Sequence, residues 1–332
     1  MKESRHVIHF PNQPRIVSTA TLAGEKEMSG NFGKYFHHPM NEDFFNQDSF
    51  EHAERKMLQF VIAEAVKTAP EDMRHLDIIF SGDLMNQIVS STYAAREFSA
   101  AYCGLYSACS TLAQGMALAA MGVDGGYFNS ALACTCSHFG SVERQFRFPL
   151  ELGTQQTPTA QWTVTGAGAA MIARGGNYPR ITSATFGRIV DYGITDANNM
   201  GAAMAPAARD TMVQYFNESG DDPESFDLVI TGDLGKLGSS ILADLLKEKG
   251  LSLGGRLKDC GALIYDHEEE NFQGGSGAGC SASVINSYVY KMLSDQTLKK
   301  VLFVATGALH SPVTSFQGDS IPCIAHAVCL QS

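Results

Sequence analysis

Basic charge is scarce in this chain. Lysine and arginine number 24 against 35 aspartate and glutamate, a formal charge of −11. A phosphate backbone is held by cationic side chains that displace counterions, so this balance argues against a nucleic-acid partner, though a local basic pocket for an anion is still compatible with it. Charge of either sign is thin, at 18% of residues against 44% apolar. That excludes a disordered chain and provides for a sizeable core. Long hydrophobic runs are missing as well. The longest stretch without charge, Phe98 to Val123, is interrupted by Ser99, Ser107, Ser110, Thr111 and Gln114, and reads as a buried strand followed by a buried helix rather than a membrane span. The opening Met1-Lys2-Glu3-Ser4-Arg5-His6 leads into no apolar h-region, so no signal peptide is expected and the chain is expected to be soluble. Cysteine is present but unpatterned. Cys103, Cys109, Cys134, Cys136, Cys260, Cys280, Cys323 and Cys329 form no CxxC and no Cys/His ligand spacing. No metal site is expected, and most of these residues read as free core thiols in a reducing compartment.

What the chain does have is internal repetition. Pro14-Arg15-Ile16-Val17-Ser18 returns as Pro179-Arg180-Ile181-Thr182-Ser183. Leu76 to Leu84 returns as Phe226 to Leu234, both ending in Gly-Asp-Leu. Ala108-Cys109-Ser110 returns as Gly279-Cys280-Ser281, and Ala131 to His138 returns as Val301 to His310. Four matches in the same order imply two copies of one fold, with insertions of different length. With 332 residues, the division expected is residues 1–175 and 176–332.

Within each copy, strand-like and helix-like segments alternate, which predicts an α/β fold with mixed sheets and packed central helices. A helix is expected over about 49–68, where Asp48 and Glu51 have capping-box spacing. Another is expected to run to about Phe216, with Pro206 in its first turn. Each copy is expected to close with a hairpin-like pair, Thr163 to Arg174 with Ile181 to Thr185 in the first and Pro322 to Leu330 in the second. Cys109 falls between the strand Ala101 to Tyr106 and the small-residue helix Thr111 to Met121. At a helix N-terminus the free N–H groups and the dipole favour a thiolate, the chemistry of an acyl-transfer nucleophile. Tight packing of a small residue is the structural alternative.

Cys109 within Ser107-Ala108-Cys109-Ser110-Thr111, after the third strand of a repeated β-α-β unit, resembles the thiolase superfamily. Ser81 to Gln87, Gly104 to Thr111, Ser137-His138, Glu143 to Arg147, Gly193 to Asp196, Met200 to Ala207, Asp227 to Leu234, Gly274 to Ala282 and Ala305 to Pro312 are similar, within that superfamily, to the stage V sporulation protein AD family of endospore formers. The resemblance covers nearly the whole chain. It implies a thiolase-like fold and binding of dipicolinic acid, pyridine-2,6-dicarboxylate, for uptake into developing spores. Other SpoVA proteins at the spore inner membrane are the implied partners, calcium is a possible companion of the ligand, and no further cofactor is implied. It also implies a twofold homodimer formed by sheet edges.

The condensing enzymes of the superfamily pair the cysteine with a histidine and an asparagine. Here the first place reads Ile230-Thr231-Gly232-Asp233-Leu234, with Gly232 or Thr231 expected where histidine would stand, and the second reads Gly275-Ser276-Gly277-Ala278. The expectation is therefore a binding protein on an enzyme scaffold; the alternative is an active Cys109-dependent acyl-transfer or condensing enzyme, and a purely structural partner of membrane proteins is a third reading. A dicarboxylate needs a flat apolar slot and donors at both ends. The candidates are the amides after Cys109, Arg144 and Arg147 for bidentate contacts, His138, Asn86 with its neighbour Gln87, Ser276 in a glycine-rich stretch, and His310. Each has an ordinary structural role as its alternative: an ion pair of the arginines with Glu143 or Glu151, a core histidine, turn capping, or close backbone packing.

Overall fold

In a computed structural model, residues 6–146, 157–265 and 273–332 are described. The strands are β1 (Val7–His9), β2 (Arg15–Ala23), β3 (His38–Pro39), β4 (Ile78–Gly82), β5 (Ala101–Gly104), β6 (Ser130–Ser137), β7 (Trp162–Thr163), β8 (Gly166–Ala173), β9 (Arg180–Phe186), β10 (Leu228–Thr231), β11 (Leu257–Asp259), β12 (Gly275–Ser276), β13 (Lys300–Ala308) and β14 (Cys323–Gln331). The helices are α1 (Glu25–Met28), α2 (Phe50–Thr68), α3 (Val89–Ala95), α4 (Thr111–Asp124), α5 (Phe139–Phe146), α6 (Met200–Glu218), α7 (Gly235–Lys247), α8 (Cys260–Ile264), α9 (Ala278–Val284), α10 (Tyr290–Ser294) and α11 (Pro312–Phe316).

The strand order is β11-β10-β13-β14-β9-β2-β8-β6-β4-β5. Read from the middle outward, the two five-strand sets repeat one pattern. β8 lies antiparallel between β2 and β6, and β4 runs parallel to β6 and β5. β14 lies antiparallel between β9 and β13, and β10 runs parallel to β13 and β11. The sets meet where Arg15 faces Arg180. Strands such as β6, β8 and β13 are buried almost throughout, as a sheet covered on both faces requires.

The covering layer between the sets is α4 and α9. Alanine and glycine dominate both, so they approach closely. Leu112, Met116 and Ala120 of α4 share one core with Cys280, Ala282 and Val284 of α9 and with Ile172 and Phe303 from the strands. Each large apolar side chain in such a core contributes about 1.5–3 kcal/mol through burial. The expected mixed α/β fold with packed central helices is what forms.

Several local expectations are corrected. The α2 N-cap is Ser49, whose hydroxyl accepts the His52 N–H at 3.3 Å. Asp48, one residue earlier, instead pairs with the His52 ring at 2.6 Å. Pro206 lies inside α6, not in its first turn, where it removes one i→i−4 hydrogen bond near the start of the helix. β8 and β9 do not form a hairpin, because β8 is already flanked by β2 and β6 while β9 pairs with β14. In the second copy the closing antiparallel pair is β13 with β14.

Candidate functional site

Cys109 sits in a 3₁₀ turn, Ala108–Ser110, that joins β5 to α4. Ala108 has φ 49°, a left-handed conformation that a non-glycine residue adopts only when its surroundings impose it. Those surroundings include the end of β13. A Cβ on Gly307 would lie 2.2 Å from the Ser107 carbonyl oxygen, so glycine there lets the strand close against the cysteine turn. The turn is tied internally as well: the Ser110 hydroxyl donates to the Ser107 carbonyl at 2.6 Å, and the Ser107 hydroxyl donates to Gln114 at 2.7 Å.

The sulfur opens into a cavity of about 360 Å³, within the size range of small-molecule sites. Its apolar wall includes Leu84, Met85, Ile88, Tyr106, Phe146, Met200 and Leu309; its polar lining includes Asp83, Cys109, Glu143, Thr163, Asp233, Ser276 and His310. Gly277 has φ 98°, which glycine alone adopts easily. That geometry turns its N–H onto Asp233 Oδ2 at 2.9 Å. The Thr306 hydroxyl donates to Asp233 Oδ1 at 3.2 Å, and the Cys109 thiol donates to the same carboxyl. Burial raises the Asp233 pKa to about 7.

A carboxyl facing the sulfur changes the expected chemistry of Cys109. The helix dipole is worth about 0.3–1 kcal/mol, less than one unit of pKa. Burial and the Asp233 charge act against it, and although the Gly277 N–H hydrogen-bonds the sulfur, they win: the thiol lies well above its ordinary value. The site favours thiol, not the thiolate expected from sequence. The carboxyl also corrects the reading of Ile230 to Leu234. The residue that meets the sulfur is neither Gly232 nor Thr231 but Asp233. Its turn is held by Asp259, fully buried, which accepts from the Thr231 hydroxyl at 2.6 Å and from the N–H groups of Leu234, Gly235 and Ala262 at 2.8, 2.9 and 2.8 Å.

Of the residues singled out from sequence, Cys109, Ser276 and His310 line this cavity. His310 Nδ1 is 3.1 Å from the Ser315 hydroxyl, and its ring lies 5.2 Å from that of Phe146. His138 is elsewhere. It is buried, with Nε2 donating to the Asp43 carbonyl at 2.7 Å and Nδ1 accepting the Gly140 N–H at 3.0 Å. It lines a second cavity with Phe50, Phe139, Trp162 and Glu27, and burial lowers its pKa. Arg144 points away from the Cys109 cavity and forks onto Glu51 of α2, a different carboxylate from the Glu143 or Glu151 weighed from sequence. Asn86 is exposed and donates its backbone N–H to Gln145 Oε1 at 2.8 Å; its neighbours Met85 and Ile88 face the cavity instead. Arg147 lies outside the described residues. Sequence reasoning missed Asp83, Asp233 and Tyr106, and read Glu143 as an ion-pair partner and Met200 as core where both line the cavity. Asp83 accepts the Met85 N–H at 2.8 Å and the Ser91 N–H at 2.6 Å. Glu143 accepts from the Thr163 hydroxyl at 2.8 Å.

Two five-strand sets of one order, covering paired central helices, with a cysteine at the helix-start turn of the first, define a thiolase-fold protein. Solved structures agree. An OleA variant of Xanthomonas campestris matches with TM-score 0.59 at 12% identity, covering 99% of both chains. The 3-oxoacyl-[acyl-carrier-protein] synthase III of Aquifex aeolicus VF5 matches with TM-score 0.52 at 15% identity, covering 96% of this chain and all of that one. The Acat5 thiolase of Ascaris suum, solved with coenzyme A, matches with TM-score 0.55 at 13% identity over 96% of this chain and all of that one.

Within that class the chain belongs to the stage V sporulation protein AD (SpoVAD) family, whose model matches residues 4–331. The stage V sporulation protein AD of Bacillus subtilis (strain 168) is 43% identical over 316 residues, 95% of this chain and 94% of that one. It is thus a sporulation protein on a thiolase-like scaffold.

Proposed function

We propose that this chain binds dipicolinic acid in the Cys109 cavity, without turnover, and serves its uptake into developing endospores. The observation that carries the reading is the pairing of Cys109 with Asp233. A nucleophilic cysteine needs a partner that takes its proton and leaves a reactive thiolate. A buried carboxyl beside the sulfur holds the proton on it instead. The space that an acyl chain would occupy in an enzyme is then available as a binding slot, with aromatic and aliphatic walls suited to a planar ring and with Ser276, His310 and the Gly277 turn as polar contacts.

The accompanying partners belong to the same proposal. The acid enters alone or with calcium, and other SpoVA proteins hold the chain at the spore inner membrane; among the described residues no helix is long and apolar enough to cross a membrane. The edge strand β5, with Tyr102 exposed on it and Tyr106 exposed just after it, is the surface for a twofold homodimer. There Cys103→Lys is expected to shift the purified chain to monomer in sedimentation.

The primary test is calorimetric titration with dipicolinic acid, with and without Ca²⁺, using pyridine-2-carboxylate as the control that lacks one carboxylate. Saturable binding that needs both carboxylates and weakens in Cys109→Trp, which fills the cavity, supports the reading. Acylation of Cys109 by an acyl-CoA, seen as a mass increase, with no dipicolinate binding, overturns it in favour of acyl transfer.

A further inference from the structure

The proposed ligand is a dianion at neutral pH, yet the cavity carries three carboxyl side chains, Asp83, Glu143 and Asp233, with His310 among its polar groups. Bringing two more negative charges into a space of this size is unfavourable unless charge is compensated. The three acids are not equivalent. Asp83 commits one oxygen to each of two backbone N–H groups, which only an ionised carboxylate satisfies fully. Glu143, on the buried face of α5, accepts from the Thr163 hydroxyl. Asp233 receives one backbone N–H, one long hydroxyl contact and a thiol, with one backbone donor where Asp83 has two.

The groups that face Asp233 reinforce this. From β11 comes Asp259, whose charge opposes ionisation of Asp233. From the 3₁₀ turn comes Cys109, from α8 Cys260, from α9 Cys280 and from β14 Cys323. These are acids and thiols, and none supplies positive charge. Asp233 is 1% exposed, so water screens it little, and burial already holds its pKa near 7.

We propose that Asp233 is a ligand-contacting residue that meets one carboxylate of the bound dicarboxylate as a neutral acid, so that binding takes up a proton from solvent. The balance is simple: a buffer acid gives its proton to Asp233, the carboxylic O–H then donates to the ligand carboxylate, and no other bond is made or broken. Such O–H···O⁻ contacts are short and strong. The assignment rests on dipicolinate binding in this cavity, and it makes that binding tighter as pH falls.

The test is calorimetry with dipicolinic acid at pH 8 in metal-free phosphate and Tris, buffers whose ionisation enthalpies differ. About one proton taken up per ligand is expected, with affinity falling about tenfold per pH unit above 7.5. Asp233→Asn, a permanent donor of similar shape, is expected to abolish the uptake and to bind about tenfold tighter than the natural chain at pH 8, because no proton need be gained. Dipicolinate binding with equal heats in both buffers and an affinity flat from pH 6 to 8.5 overturns the role of Asp233 and leaves the binding reading standing. So does binding that appears only with Ca²⁺ and without proton uptake, since the cation then compensates the charge. No dipicolinate binding under any condition overturns both. Where that variant fails to fold, uptake that persists in His310→Gln supports Asp233 as the acceptor, and uptake that is lost there overturns its role.

Discussion

Asp83 and Asp233 occupy matching places. Each follows a parallel strand in a Gly-Asp-Leu turn, β4 in one case and β10 in the other, and each lines the same cavity. Their work differs. Asp83 turns back on its own loop and pins the backbone of Met85 and Ser91. Asp233 reaches across to Gly277, Thr306 and Cys109. The cysteines part company in the same way. Cys109 faces the cavity, while Cys280 is fully buried with its sulfur 3.6 Å from the Gly232 carbonyl. The histidines do too: His310 lines the Cys109 cavity and His138 the other one. The site is thus assembled from the cysteine of one copy and the acid and histidine of the other. A duplicated fold gives two frames, and one set of contacts between them gives one site.

This asymmetry is open to direct attack. The largest effect is expected from Asp259→Ala, which strips four donors of their acceptor in a buried turn and leaves Asp233 unsupported. A loss of about 3–5 kcal/mol in urea unfolding is expected; a loss below 1 kcal/mol would show that the turn stands without it. Next, Asp83→Asn should cost about 2 kcal/mol, because an amide cannot accept both backbone N–H groups. Asp233→Asn should cost less and change the pH profile instead. Asp233 titrates near 4 when unfolded and near 7 when folded, so between those values the folded chain holds the extra proton. That contribution is complete below about pH 4 and is lost as pH rises through 7. From pH 6 to pH 8 it amounts to about 1.4 kcal/mol, which Asp233→Asn should remove from the stability curve.

A smaller effect separates the two cysteines. Iodoacetamide should modify Cys109 slowly at pH 7.5, and about tenfold faster in Asp233→Asn, where the opposing charge is gone. Cys280 should stay protected in both until the chain unfolds, as read by mass of tryptic peptides. The smallest effect should come from Arg144→Ala. Its ion pair with Glu51 of α2 is partly exposed, so stability should change by less than about 1 kcal/mol and dipicolinate affinity by less than about twofold.

The scaffold was legible in the sequence because repetition is visible without coordinates. Four matched segments placed the two strand sets and the packed helices. The hairpin was misread because adjacency along the chain stood in for adjacency in the sheet, and β8 and β9 have other neighbours. The site was half legible. Cys109, Ser276 and His310, singled out from turns and from the family resemblance, line one cavity. Asp233 was not, because a Gly-Asp-Leu present in both copies reads as turn chemistry, and what distinguishes the second is a contact more than forty positions along the chain, at Gly277. The repeat misled for His138, since equivalent positions in two copies need not face one cavity. Arg144 was placed correctly on the element after β6, but the sequence gives no means of seeing that α2 brings Glu51 to it.

Trp162 is the sole tryptophan in the chain. Its indole stacks on Phe139 at 4.1 Å, carries the Lys26 ammonium 4.3 Å above it, and belongs to β7, whose next residue, Thr163, lines the Cys109 cavity and whose partner is β12 with Ser276. The one indole fluorophore of the chain therefore lines the His138 cavity and adjoins, through Thr163, the Cys109 cavity. Its emission is an intrinsic optical gauge of what enters on either side, without any label attached.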